Sequence, residues 1–470
     1  EEFQLLMECQ YNIISNSGFS WFSSWLNKNQ NKIVISPVSW IKNKELNENM
    51  VYRYLVKALK DGNKETFFDG IYKLMPGEML IFDINTKKLE LKKYSNLYND
   101  LKKSKINQTK PKAIFDILEK SIKDRLMSDV DLGVSVSGGI DSTIIARLTS
   151  KFIKKNQKLL GFSLVFPGEK NDEEQYIDEV IKSEPKLLIE KIKPNSRDFS
   201  TDAIEFITTL EEPTIDNSSY SHYQLFQAVS KKVKVLLDGQ GADEIFAGYE
   251  GYLFIYLKQL VKEKNILKII QLFFQFFPIW IKLLFEKTNH LKSKQQNIFE
   301  DHFLEKHIND KNPTLASDSL KDRLVDDIFL FSLQASLRNL DKNSMHFSVE
   351  ARPPFINKFM IEKAFNLKSE DLINNGHFKA VLKNYYKNLL TNNIFNRRKI
   401  GFSIPFEAWL WEKRDWIRSL LIDQKEKLAS YIDINSLEKL IIDDKYYQNI
   451  DRFLLWRLFN LALWLKVFID

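Results

Sequence analysis

The sequence predicts an α/β protein: a doubly wound parallel sheet with a helical C-terminal half, preceded by a partial, mostly β N-terminal region. Three observations carry this. Short apolar runs alternate with amphipathic helical segments between residues 111 and 237, the pattern of βαβ units whose sheet is covered on both faces. A small-residue loop, Ser135-Val136-Ser137-Gly138-Gly139-Ile140-Asp141-Ser142-Thr143, stands where one apolar run gives way to a helix. After Gly248 the pattern turns mainly helical.

Taken in order, the N-terminal residues carry short mixed segments, with strand-like pieces at Lys32–Ile35 and Glu78–Phe82. Ile114, Phe115, Ile117, Leu118, Ile122 and Leu126 recur at spacings of three and four, which makes Ala113–Ser128 an amphipathic helix. Leu132–Val136 reads as a buried strand and Thr143–Ile153 as helix. Strands at Leu159–Phe166 and Lys186–Ile192 flank a helix at Glu173–Lys182. Helices at Ala203–Leu210 and Tyr220–Lys231 lead to a last short strand, Val233–Leu237, and the lysine-rich stretch 288–297 reads as loop. The change of texture near Pro111 divides the chain into a region 1–108 and a domain 109–470.

Composition narrows the function. The chain has 470 residues, 44% of them apolar and 28% charged, which sets it apart from disordered chains. A net charge of +7 is spread along the sequence, so it favours anionic ligands without marking a nucleic-acid surface. A single cysteine, Cys9, excludes an internal disulfide framework and a cysteine-based zinc cluster. The most apolar stretch, Ile266 to Phe285, is broken by Lys268, Gln271, Gln275, Pro278 and Lys282, so it reads as a buried or docked helix. With no signal-peptide pattern near the start, the expected location is cytoplasmic, with no membrane partner.

The Gly138-Gly139 pair lets the backbone turn tightly and approach a ligand closely. Ser137, Ser142 and Thr143 add hydroxyls, and the following helix aims its first N–H groups at the same spot, which suits pyrophosphate. No Gly-Lys-Ser/Thr follows, so this is not a Walker loop. A second loop, Asp238-Gly239-Gln240-Gly241-Ala242-Asp243-Glu244, also leaves a buried strand; in a doubly wound sheet such loops meet at the ligand crevice. Asp141 and Asp243 are then hard-oxygen ligands for Mg²⁺ bridging phosphates, or alternatively helix caps.

Ser-Gly-Gly-Ile-Asp-Ser at 137–142 resembles the pyrophosphate loop of N-type ATP pyrophosphatases, a fold akin to the adenine nucleotide α-hydrolases. The other landmarks resemble the synthetase domain of glutamine-using asparagine synthetases: Glu212-Pro213 with Asp216 and Ser218, Asp238–Tyr249, Ser344-Met345-His346 before Glu350-Ala351-Arg352-Pro353-Pro354-Phe355, and Arg398-Lys399-Ile400-Gly401-Phe402-Ser403-Ile404-Pro405 with Trp409. The match runs from about residue 111 to 415. Residues 51–95 resemble the end of that family's glutaminase domain, through Phe68–Gly77, so that 1–108 is a partial region of that kind without its nucleophile.

The resemblance implies an ATP-dependent ligase. Aspartate attacks the α-phosphate of ATP, pyrophosphate leaves, and ammonia or glutamine-derived nitrogen converts the β-aspartyl-AMP to asparagine and AMP. It implies that Ser137, Gly138, Gly139, Asp141 and Ser142 hold the phosphates, that Asp141 and Asp243 carry Mg²⁺, and that Val136, Leu164, Asp238 and Gly239 enclose the adenosine. Lys399 matches the catalytic lysine. Glu212, Asp216 and Gln240 fall at the amino-acid pocket, the first two being otherwise a capped turn around Pro213. Glu350 and Arg352 either position substrate or pyrophosphate, or pair with each other to fix the crevice wall.

Three departures qualify it. Gln240 stands where many members carry Glu, and a neutral amide cannot act as a base. Asn357 replaces a common acid. The family's glutaminase needs an N-terminal cysteine, but position 1 is Glu1 and the α-amino group of Cys9 is locked in a peptide bond. The expectation is a missing front half, or use of ammonia that is free or comes from a separate glutaminase partner; a homodimer is also compatible. Other acceptors for the same adenylation, including ring closure of another carboxylate, and a non-catalytic nucleotide-binding remnant stand as alternatives. A tRNA-modifying pyrophosphatase would share the Ser-Gly-Gly loop but should also show a basic stripe with interleaved aromatics, or a thiol or zinc apparatus, and neither is evident in the sequence.

Overall fold

The computed structural model describes residues 45–83, 85–104, 109–170, 172–282, 298–310, 317–399 and 401–470, with two short strands further upstream. Those strands, β1 (Tyr11–Ile13) and β2 (Ile33–Ile35), pair in parallel. Cys9 and the stretch 288–297 lie outside the described residues.

Helix α1 (Glu48–Lys57) starts where the Asn47 side chain accepts a hydrogen bond from the Met50 N–H, a side-chain N-cap. It is followed by an antiparallel hairpin, β3 (Glu78–Asp83) and β4 (Lys88–Lys93), registered with Leu80 opposite Leu91. Helix α2 (Pro111–Arg125) opens with proline at its first position, where the missing N–H costs nothing.

The central sheet follows as β5 (Leu132–Ser135), α3 (Ile140–Phe152), β6 (Leu159–Leu164), α4 (Glu174–Ser183), β7 (Leu187–Ile192), α5 (Ser196–Leu210), α6 (Ser218–Val229) and β8 (Val235–Leu237). Its fifth strand, β9 (Glu350–Arg352), arrives much later, after α7 (Ala242–Phe246), α8 (Ile266–Gln275) and α9 (Ser332–His346). The order is β7-β6-β5-β8-β9 and every pair is parallel. The chain winds outward from β5 in both directions, so the loops after β5 and β8 face each other at the switch point.

Alternating side chains of the sheet divide between two cores. Leu236, Phe162 and Leu164 join one core, which also holds Trp456 and Trp464 from α11 (Arg452–Phe468), while Val235, Leu237, Val134 and Leu159 join the other. Ahead of α11, a short helix α10 (Ala380–Tyr385) sits beside the switch point.

The N-terminal helix shares the first core: Met50, Tyr54 and Leu55 are fully buried. The Tyr54 hydroxyl lies 2.8 Å from the Thr214 carbonyl and 3.1 Å from that of Arg457. Nearby, the Trp456 indole donates to Thr214 Oγ1 at 3.1 Å.

Two elements differ from the sequence expectation. Helix α5 begins at Ser196 rather than Ala203, because Asn195 and Asp198 form a capping box ahead of a polar first turn that has no apolar periodicity. Strand β9 comes from a region read as mainly helical; it is three residues long and carries Glu350 and Arg352, so no apolar run marks it. Helix α8 is docked on the surface, with Leu267 and Phe274 exposed, and no helix among the described residues is long and apolar enough to cross a membrane.

Candidate active site

The loop after β5 is built from its own hydroxyls. Ser142 Oγ accepts from the Ser137 N–H at 3.1 Å and contacts Ser137 Oγ at 3.1 Å, while the Gly139 N–H donates to Ser137 Oγ at 3.3 Å. Gly138 has φ +65°, and a Cβ there would come within 2.7 Å of Tyr176 Cβ on α4. Gly139 caps α3 with no side-chain acceptor of its own, so the first N–H groups of that helix are left for a ligand anion. On the other side, the β8 loop packs against the phosphate loop: a Cβ at Gly239 would lie in van der Waals contact with Asp141 Cβ, at 3.5 Å.

A cluster of cations and carboxylates surrounds this junction. Lys379 Nζ lies 2.5 Å from Asp141 Oδ2 and 2.7 Å from Asp243 Oδ1, and Lys399 donates to Asp243 Oδ2 at 2.8 Å. Lys379 is buried and holds φ +52° at the start of α10, a backbone conformation that non-glycine residues adopt rarely. Burial alone would raise the Asp243 carboxyl, but Lys379 and Lys399 outweigh it and hold the group well below the usual carboxylate range. Burial and the neighbouring Asp243 push Glu244 up. For Lys399, burial is outweighed by Asp243 and Asp141, which raise its ammonium above the ordinary value. Lys383, one turn from Lys379, is pulled down to about 8 by burial and by Lys379.

Two cavities adjoin this cluster. One, of about 190 Å³, is lined by Ser137, Gly139, Asp141, Lys379, Arg397 and Lys399, among others. The second, of about 650 Å³, is lined by Asp216, His222, Gln240, Asp243, Lys399 and Phe402, among others. Lys399 is on the wall of both. The first suits polyphosphate, with a loop of backbone donors facing lysines and arginines; the second, apolar in part and fringed by polar groups, suits a small carboxylate.

Asp141 Oδ1 is buried without a hydrogen-bond partner, and the Lys379 ammonium bridges Asp141 and Asp243. Among the described residues no third carboxylate, histidine or cysteine joins them, so a divalent cation would rest on these two carboxylates and on substrate phosphates. Magnesium is commonly held by one or two carboxylates together with substrate phosphates.

The remaining candidates fall elsewhere. Val136, Leu164 and Asp238 are buried at the carboxyl ends of β5, β6 and β8, and Asp238 Oδ1 accepts from the Gln240 N–H at 3.0 Å. Glu212 does not line either cavity; it is 3.1 Å from Arg338 Nη2 and 3.6 Å from Lys60 Nζ. Glu350 and Arg352 pair at 2.8 Å at the sheet edge, and Arg352 Nη1 donates to the Arg125 and Met127 carbonyls, satisfying the end of α2. Asn357 caps the next helix by accepting from the Met360 N–H at 3.1 Å.

Sequence reasoning missed Lys379, Lys383 and Arg397. Arg397 pairs with Glu173, donates to the Ser137 carbonyl at 3.3 Å and stacks on Tyr176. The signal was faint: two lysines four residues apart after Gly376, and a basic triplet ending at Lys399.

The parallel sheet order, its flanking helices and the glycine loop at the switch point define an α/β protein of the nucleotide-binding type of fold. Its family is the asparagine synthases: the Asparagine synthase family model matches residues 113–466, and the chain belongs to that family. It is similar to glutamine-hydrolyzing asparagine synthetase 1 of Bacillus subtilis, at 26% identity over 71% of this chain and 55% of that one. It is similar to asparagine synthetase 3 of the same organism at 20% over 80% and 61%, and to the amidase chyE of Penicillium rubens at 27% over 42% and 32%. The chain spans a little over half the length of the Bacillus relatives.

Proposed function

We propose that this protein activates a carboxylate with ATP and turns it into an amide, making asparagine from aspartate through β-aspartyl-AMP, with release of pyrophosphate and AMP. The observation that carries this reading is the position of Lys399, on the wall shared by the phosphate cavity and the acceptor cavity. A group there meets the α-phosphate as the acceptor attacks it, where charge develops on phosphorus.

The loop N–H groups and Lys379, Lys383 and Arg397 bind and orient the leaving pyrophosphate. Asp141 and Asp243 would hold Mg²⁺, whose contribution is to neutralise phosphate charge. Nitrogen enters as ammonia, either free or delivered by a glutaminase. In this reading residues 109–470 are the synthetase unit, working in the cytoplasm on small molecules, with no nucleic-acid partner.

A second reading keeps the adenylation and enlarges the acceptor. The 650 Å³ cavity has room for more than a four-carbon acid, and the relatives include a protein named as an amidase. Substrate-dependent ATP–pyrophosphate exchange with Mg²⁺ decides between them. Exchange with aspartate, and asparagine on adding ammonium, supports the first; exchange only with another carboxylate supports the second. No exchange with any carboxylate, in folded protein, overturns both.

A further inference from the structure

Amide formation needs a base. The nitrogen that attacks an acyl-adenylate carries a proton too many, and Gln240 cannot take it. Among the described residues that line the acceptor cavity, the one imidazole, His222, stands next to Gln240 and can.

His222 lies on α6 and is 5% exposed, its ring against Phe402 at 4.9 Å between centroids. Its Nδ1 is 3.1 Å from the Ser218 carbonyl oxygen. A carbonyl only accepts, so Nδ1 carries the hydrogen and Nε2 presents a lone pair. Nε2 lies 3.4 Å from the Gln240 side-chain amide nitrogen, at the lining of the cavity shared with Lys399 and Asp216. Burial lowers the imidazole's pKa and keeps it neutral near pH 7, against the opposing pull of Asp238, the Ser218 carbonyl and Asp216. The position is therefore occupied by a tautomerically fixed, uncharged base beside the residue whose carboxylate is absent.

We infer that His222 is the general base of the amide-forming step, accepting through Nε2 the proton shed by the attacking nitrogen. This rests on the amide-synthetase reading above. The nitrogen lone pair forms the C–N bond at the acyl carbon, one N–H proton passes to Nε2, and the bond from that carbon to the phosphate oxygen breaks. AMP leaves with the electron pair, and the imidazolium returns its proton to solvent. Gln240, donating toward the same nitrogen, orients the ring until the amine displaces that contact.

The test separates the two half-reactions in His222→Leu, assayed with aspartate, ATP and Mg²⁺. Pyrophosphate exchange needs no base at this position and is expected to fall less than threefold. Asparagine formation from ammonium is expected to fall about 10²-fold or more. Hydroxylamine, whose attached nitrogen is more acidic in the tetrahedral adduct, should still yield hydroxamate within about tenfold of the wild type. Gln240→Glu added to His222→Leu should recover at least tenfold of the lost amidation. Amidation by His222→Leu within threefold of wild type overturns the assignment. Equal loss of exchange, amidation and hydroxamate overturns it too, since that marks a packing role. Absence of exchange in the wild-type chain with every carboxylate removes the synthetase reading, and the base assignment falls with it.

Discussion

Lys379 Nζ and Asp141 Oδ2 stand 2.5 Å apart across 238 residues of sequence, and the same ammonium reaches Asp243. One lysine thus ties the β5 loop to the β8 loop. In Lys379→Met the two carboxylates face each other with Lys399 alone to offset them, an expected loss of about 3 kcal/mol. A divalent cation should take over that charge. Thermal unfolding with MgCl₂ and with EDTA is therefore expected to show a larger Mg²⁺-dependent rise in Tm for the variant than for wild type. Equal rises would mean that the aspartates do not hold the metal.

Lys399 behaves differently because its side chain is 38% exposed and makes one ion pair. Lys399→Ala should leave Tm within about 2 °C, because the Lys399 side chain is partly exposed and Lys379 still pairs with Asp243. Pyrophosphate exchange should nonetheless fall by roughly 10²- to 10³-fold, the scale of losing a preorganised charge at a transition state. Lys399→Arg is expected to restore little, since a planar guanidinium does not reproduce a compact ammonium. Exchange rates and melting curves on the same preparations check both statements.

Four strands of the sheet and the two loops were legible because strand and helix periodicities are local; β9, three residues with no apolar run, was not. Leu236 turns to one core and Val235 and Leu237 to the other, an alternation already written in Val233–Leu237. Ser137, Asp141 and Lys399 were legible through their motifs, and the structure brings them to one cavity wall. Lys379 and Arg397 were not, because a lysine in a chain with 69 basic residues acquires meaning only from what the fold places opposite it. Glu212 shows the converse: a motif residue whose partners, Arg338 and Lys60, come from distant segments.

Gly138 combines two demands. Its φ of +65° disfavours any side chain, and a Cβ would press on Tyr176 Cβ at 2.7 Å. Gly168, at φ +88° with nothing within 4 Å, meets only the first demand. Gly168→Ala should cost about 1 kcal/mol in urea unfolding. Gly138→Ala should cost about 2 to 3 kcal/mol, as overpacking adds to the backbone term, and should also raise the KM for ATP in the exchange assay. Equal costs would show that α4 yields freely and does not brace the loop.

The ion cluster of Asp61, Glu212, Arg338, Lys60 and Lys73 joins the N-terminal segment to the synthetase fold and sets an acid limit on stability. Arg338 grips Asp61 with two bonds of 3.0 Å and Glu212 with one of 3.1 Å. Burial works to raise the Glu212 carboxyl, but Arg338 and Lys60 bring it from 4.5 down to about 2, and Arg338 and Lys73 lower Asp61 in the same way. A carboxyl whose folded pKa is depressed stabilises fully above its unfolded value and loses that contribution as pH falls through the folded one. Stability should thus drop between about pH 4.5 and 2, by about 3 kcal/mol from Glu212 alone. Lys60, pulled down to about 8 by burial, titrates only in the alkaline range and leaves this limb to the carboxylates. Arg338→Ala should cost about 3 to 4 kcal/mol at pH 7 and flatten the acid limb, because the carboxylates then lose their chief counter-charge. Urea unfolding at stepped pH values measures both effects, and a variant whose acid limb matches the wild type would place the pH dependence elsewhere in the molecule.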